Sequence, residues 1–406
     1  MADRPYLTAQ QDVINAMMRG VQHLKSIADD PQGNADDYDY AFAEFFASLT
    51  NITEYSISTK GFTGLTDMRS GGFMANICGR TAKVFRAPHA RLSFGGTSLA
   101  MMMLVGVVLP QWVDRKRRSI LLTDNLGHQC VLGGSIIGQW DVVKIERDTV
   151  KHIGVSKPLT LRLVRAAVEA NGPHNIAALV YNPMSYDGFR NRKEELKIFA
   201  YCRKHGIKVI ADMAWSSVYS IVPDQELQGS LLDFCDACCT SPHKRSLFPS
   251  SVSIALFREQ QRAEQFTEAG RLGWATTSPA FATLMLVDFR LVQIESGLVA
   301  KQLAIVEAIS RNLRTCFDEL SPHLRVVKAS DVGADYQDPA HILVSSARSD
   351  IDCRTLIEWL SENSYTDWEK ANRQTGLFLV SNHHRNIQSQ IIDDLAEAIN
   401  AIQTQT

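Results

Sequence analysis

The chain of 406 residues has no apolar run long enough to span a membrane. Its most apolar stretch, residues 99–110 (LAMMMLVGVVLP), covers about half of the ~20 residues a bilayer-crossing helix needs and reads instead as a buried helix. An excess of charge is also missing. The 42 basic side chains stand against 44 acidic ones, a formal net charge of −2, so nucleic acid and anionic membrane surfaces are not expected partners. The opening MADRPYLTAQQDVINAMMRG lacks the basic-then-apolar order and the small-residue cleavage site of a secretory signal. Eight cysteines in a chain of this length are not a disulfide framework, and a reducing cytoplasm is the simplest home. Cys235, Cys238 and Cys239 form a CxxCC cluster with no second pair at zinc-site spacing, so they read as small buried residues around a strand and no metal is expected. The dinucleotide fingerprint G-x-G-x-x-G is absent too, because the glycines of residues 132–138 (LGGSIIG) are spaced differently.

What is present is an alternation. Short β-rich runs lie at residues 119–123, 142–145, 177–181, 208–212 and 252–257, and helical stretches such as 159–170 and 192–205 separate most of them. Strands alternating with helices predict an α/β fold with a mostly parallel sheet covered on both faces. An N-terminal helical segment is expected over residues 1–60, interrupted by an acidic loop at 29–39, and a large α/β domain over 61–290. Residues 291–406 would hold a linking helix broken near Gly297 and a small α+β domain, with strands at 340–345 and 376–380 and helices at 351–363 and 387–402.

Ligands of such sheets sit beyond the carboxyl ends of the strands, and four patterns fall there in order. Gly95, Gly96, Thr97 and Ser98 precede the apolar helix, where free N–H groups and the positive dipole end suit a phosphate or serve as an ordinary cap. His128 follows the first β-run and either caps the next helix or lies flat on an aromatic cofactor. Asp212 ends an apolar strand, where a carboxylate needs a cationic partner, such as the pyridine nitrogen of pyridoxal phosphate (PLP), or caps a helix. Ser241, Pro242, His243 and Lys244 follow another strand. A buried lysine has a lowered pKa that favours Schiff-base formation with an aldehyde, and Ser241 or His243 could reach the phosphate. A phosphate seat, a stacking candidate, a strand-end Asp and then a Lys fit a single PLP site.

These residues resemble the fold-type-I Orn/Lys/Arg decarboxylases from about Gly64 to Arg290. Gly64 to Asp67 looks like that family's Gly-Leu-Asp-Asp stretch, Gly96-Thr97-Ser98 like its phosphate-binding Gly-Thr-Ser, and His128 stands where its ring-stacking His follows an Asn. Asn182 to Gly188 resembles its Ser-Pro-Thr-Tyr-x-Gly segment, Asp212 and Ala214 match its Asp-Glu-Ala-His, and Ser241 to Lys244 is similar to its Ser-Thr-His-Lys. Thr277 and Ser278 resemble a Thr-Ser-Pro segment lying near the neighbouring subunit's cofactor. The resemblance implies an aspartate-aminotransferase-like fold, PLP on Lys244, a homodimer or higher oligomer, and an amino acid substrate. Trp215 departs from the pattern by replacing the family's active-site His with a donor-only indole, and it is placed at both cofactor and substrate. The Pro-Gly-His-Lys segment and the long C-terminal extension of larger members are not found. Decarboxylation of a basic amino acid is the leading expectation. Transamination, β- or γ-elimination and PLP-dependent oxidation or cyclisation are the alternatives, with Arg385 placed roughly where aminotransferases keep a carboxylate-binding Arg.

Overall fold

The computed structural model describes residues 73–222, 229–245, 247–270, 281–320, 323–346, 351–364, 366 and 368–405. The expected helical segment over 1–60 lies outside them, as do Gly64 to Asp67 and the Thr277–Ser278 pair.

Seven strands build the main sheet: β1 (His89–Ser93), β2 (Ile120–Asp124), β3 (Asp141–Ile145), β4 (Ile176–Tyr181), β5 (Lys208–Asp212), β6 (Ala237–Thr240) and β7 (Ser253–Phe257). Their spatial order is β1-β7-β6-β5-β4-β2-β3. Strand β7 runs antiparallel to both neighbours, and the other pairings are parallel. The central strand β4 (IAALVY) is buried along its whole length because both faces are covered, which explains its unbroken apolar run. Successive residues still part company across the sheet. Leu122, Leu179, Val209 and Leu256 enter one core, whereas Leu121, Val180, Ile210 and Ala255 enter the other.

Helices α1 (Phe73–Val84), α2 (Gly96–Met103), α3 (Gln129–Gly138), α4 (Leu161–Asn171), α5 (Arg192–Lys204) and α6 (Gln260–Ala269) flank these strands. The apolar stretch 99–110 is buried as expected but is not one regular helix. After α2 it widens into a π turn over Leu104–Val108 before a last turn, Leu109–Trp112. Pro110 supplies the reason, since it has no N–H for the Gly106 carbonyl four residues earlier and its ring pushes that carbonyl away.

Helices α7 (Phe281–Glu295) and α8 (Leu298–Glu319) meet at Gly297, which adopts φ +79° at the expected break. Beyond them β8 (Arg325–Val326), β9 (His341–Ser345), β10 (Lys370–Ala371) and β11 (Thr375–Leu379) form an antiparallel sheet in the order β8-β9-β11-β10. It packs with α8, α9 (Cys353–Asn363) and α10 (Gln388–Gln405) around Phe317, Trp368 and Phe378. No helix among the described residues is long and apolar enough to cross a membrane.

Candidate active site

A cleft of about 520 Å³ opens beyond the carboxyl ends of β2, β4, β5 and β6. Parallel strands end on the same edge, so the residues that follow them converge here however far apart they lie in sequence.

One end of the cleft is the start of α2. Gly96 adopts φ +70°, a conformation open to glycine without strain, and its N–H donates to the Ser251 carbonyl at 2.8 Å. No side chain caps this helix, so the first-turn amides that follow Gly96 remain as donors. Thr97 and Ser241 share a buried hydroxyl–hydroxyl hydrogen bond that ties the helix start to the turn carrying the lysine. Ser98, Ser250, Ser251 and His243 complete this hydroxyl-rich end, and the His243 Nδ1 donates to the Val252 carbonyl at 3.1 Å.

The floor is Asp212, the last residue of β5 and only 5% exposed. Its Oδ1 accepts from the Ala214 N–H at 3.1 Å, and among the described residues no cation lies within ion-pair distance. Burial pushes its pKa up, against the Ala214 amide and the charges of Lys244 and His128, while Asp124 adds to the rise. The Asn182 carboxamide, with its nitrogen toward the β5 end, donates to the Asp212 main-chain carbonyl at 3.1 Å.

Lys244 sits in the turn Pro242–Arg245, and its Nζ lies 4.6 Å from the centre of the Trp215 ring. The surface it exposes is the cleft itself. Desolvation by the surrounding walls lowers its pKa, against the charges of Asp212, Glu369 and Cys130. Trp215 is 8% exposed and packs edge-on against both Tyr186, at 5.2 Å, and His341, at 5.3 Å. It is therefore a cleft wall rather than a titrating group. His128 takes the capping role. Its Nδ1 accepts the Cys130 N–H at 3.2 Å as the N-cap of α3, and its ring lines the cleft.

The structure thus brings Gly96, Thr97, Ser98, His128, Asn182, Asp212, Ala214, Trp215, Ser241, His243 and Lys244 together on one cleft. Arg385 is not among the lining residues. It is exposed in the short turn Asn382–Asn386. Two groups escaped the sequence reading. Asp124, at the end of β2, forms a fully buried ion pair with Arg147 at 2.6 Å and accepts the Leu126 N–H at 2.9 Å, while Arg147 also holds the Asn182 carbonyl. The pair clamps the ends of β2 and β4 beneath the cleft. At the mouth, Asp187 and Lys370 make an ion pair at 2.6 Å, and Tyr186 donates to Glu369. Asp124 was legible as another strand-end carboxylate, but nothing local to residues 369–370 places them here.

The donor set fits PLP on its own chemistry. A buried carboxylate without a cation awaits a protonated ring nitrogen, a lysine with depressed basicity suits an aldehyde, and uncapped helix amides with hydroxyls suit a phosphate.

No protein-family model matches the sequence, and no curated protein does. Solved structures do. The Francisella novicida lysine decarboxylase superimposes with a TM-score of 0.69 at 16% identity, over 95% of this chain and 60% of that one. The constitutive lysine decarboxylase of E. coli gives 0.68 at 15%, again over 95% and 60%. The Burkholderia pseudomallei sphingosine-1-phosphate lyase gives 0.65 at 12%, over 98% of this chain and 91% of that one. The chain therefore has the fold of the type-I PLP enzymes, and it spans about 60% of the length of the lysine decarboxylases it matches.

Proposed function

We propose that this chain is a PLP-dependent enzyme acting at Cα of an amino acid, and that the reaction is decarboxylation of a basic amino acid. The observation that carries the cofactor reading is the convergence of Asp212 and Lys244 on one cleft, the carboxylate without a cation and the amine with its proton loosened. When bound, PLP supplies an electron sink for a carbanion at Cα. Asp212 would keep a proton on the pyridine nitrogen, and Asn182 and the Asp124–Arg147 pair hold the strand ends that aim it. Lys244 would carry the cofactor and return a proton at Cα. The α2 start, with Thr97, Ser98, Ser241 and His243, would hold the phosphate, and His128 would cover the ring. Thr277 and Ser278 are proposed to reach a neighbouring subunit's site in a cytoplasmic homodimer or higher homo-oligomer. Lysine and glutamate decarboxylases beside a sphingosine-1-phosphate lyase among the structural neighbours support the PLP reading, and the decarboxylase reading rests on the motif series.

A second reading rests on Trp215. With an indole standing 4.6 Å from Lys244, the Trp215 position offers no titrating group, which suits transamination, elimination or oxidation equally well. One experiment separates the two. The PLP-loaded protein is incubated in air with arginine, ornithine or lysine, and the products are weighed by mass spectrometry. A product lighter by CO2 is expected, and a keto, hydroxylated, cyclised or truncated product would establish the second reading. Lys244→Ala should abolish the visible colour of the loaded protein. Persistent colour would overturn the assignment of Lys244.

A further inference from the structure

The turn that carries Lys244 is held from behind by a group that none of the cleft motifs contains. Residues Tyr336–Gln337 pair antiparallel with Phe189–Arg190, and the next residue, Asp338, donates its N–H to the Gly188 carbonyl at 2.8 Å. Asp338 is 1% exposed. Its Oδ1 forms an ion pair with Arg245 at 3.1 Å, accepts from the Ala340 N–H at 2.9 Å, and faces the His341 Nδ1 at 3.4 Å.

These contacts close a ring. Arg245 is the chain neighbour of Lys244, and only 8% of its side chain is exposed. His341, fully buried, meets the Trp215 ring edge-on at 5.3 Å, and the far face of the circuit is the 4.6 Å approach of the Lys244 Nζ to that same indole. Asp338 thus touches neighbours of Lys244 on both sides, one through the backbone and one through the wall of the cleft. Burial pushes its carboxyl up, but Arg245, His341 and the Ala340 amide outweigh that and hold it well below the usual carboxylate range. Arg314 and Tyr336 are the other titratable groups that face it. Those facing Lys244 are Asp212, Glu369 and Cys130.

We propose that Asp338 is a positioning residue for Lys244, holding the lysine turn through Arg245 and the Trp215 wall through His341, with its charge offsetting that of Arg245. A buried ion pair adds little stability over apolar residues of the same shape, so stability alone gives no reason for one directly behind the lysine. Its effect is local: it holds the guanidinium of the residue that follows Lys244 and offsets the charge that guanidinium brings to the lysine turn. The proposal rests on Lys244 as the PLP anchor.

The test compares PLP-loaded wild type, Asp338→Asn, Arg245→Met and the double variant Asp338→Leu/Arg245→Met. The readouts are the pH midpoint of the visible band of the Lys244–PLP linkage and the dissociation constant for PLP. Asp338→Asn bares a positive charge, so the midpoint should fall by about one unit. Arg245→Met bares a negative charge, so it should rise by a similar amount. The double variant should return to within a few tenths of a unit of wild type while binding PLP more weakly, since the turn has lost its tether. Should Asp338→Asn fail to fold, Arg245→Met and the double variant still carry the test. A pair that merely stabilises the fold would move both single variants in the same direction or leave both midpoints alone, and either result overturns the proposal. A wild-type protein that never takes up PLP overturns the proposed function instead.

Discussion

Asp212 shows how a single residue can trade stability for a site. Burial makes its ionised form costly, and among the described residues an amide but no bonded cation offsets that. Its folded pKa is raised, so its contribution to stability is full below the unfolded carboxylate value of about 4 and is lost as pH rises through the folded value. Asp212→Asn should therefore melt higher than wild type in the PLP-free state at neutral pH, with the gap closing as pH falls toward about 4. Added PLP should reverse the order, because the amide cannot hold a proton on the ring nitrogen. Thermal melts across pH, with and without PLP, check both halves. A variant that melts lower than wild type without cofactor would mean that Asp212 is a structural cap and no more.

At the scale of elements, the turn after β4 is held by a glycine that leaves no room for error. Gly188 adopts φ +84°, and a Cβ built there would stand 2.6 Å from the Cβ and Cγ of the buried His341. Gly188→Ala should lose roughly 2–4 kcal/mol, combining backbone strain with overpacking, read from denaturant midpoints. Because the turn also carries Tyr186 and Asp187, the cleft mouth should loosen with it. Much of this layer was legible in the sequence. The runs 208–212 and 177–181 are apolar on both faces and ended in polar residues, which is how β5 and β4 announce themselves. Strand β1 was not legible, because HARLS carries an arginine at its centre. The structure buries Arg91 by giving its guanidinium Thr267 at 2.9 Å and the Ala90 carbonyl at 2.8 Å, partners that only the fold supplies. The cleft residues at strand ends were readable for the same reason as the strands. His341 and Lys370 were not, since they arrive from the C-terminal sheet, and neither was Asp338, which follows a short strand paired with Phe189–Arg190, because no local pattern encodes these dockings.

That docking sets what holds the cleft mouth. The large sheet and the C-terminal sheet meet across the cleft mouth through Asp187–Lys370 and Tyr186–Glu369, with the Lys370 ammonium 5.0 Å from the Tyr186 ring centre. Behind the mouth lies the Arg245–Asp338 pair, far more buried. The two contacts differ in what they can do. The Lys370 side chain is 39% exposed, so its pair with Asp187 is worth at most about 1 kcal/mol and is weakened by salt. A contact of that strength is readily given up, whereas the buried pair ties Asp338 firmly to the lysine turn. Lys370→Met should accordingly leave the denaturation midpoint within about 1 kcal/mol of wild type while speeding PLP release several-fold, measured by trapping the released cofactor. Raising salt should speed release from wild type and leave the variant nearly unchanged, because the charge pair that salt screens is already gone. Equal salt sensitivity in the two proteins would place the barrier to release elsewhere, at the α2 phosphate end or at the bond to Lys244.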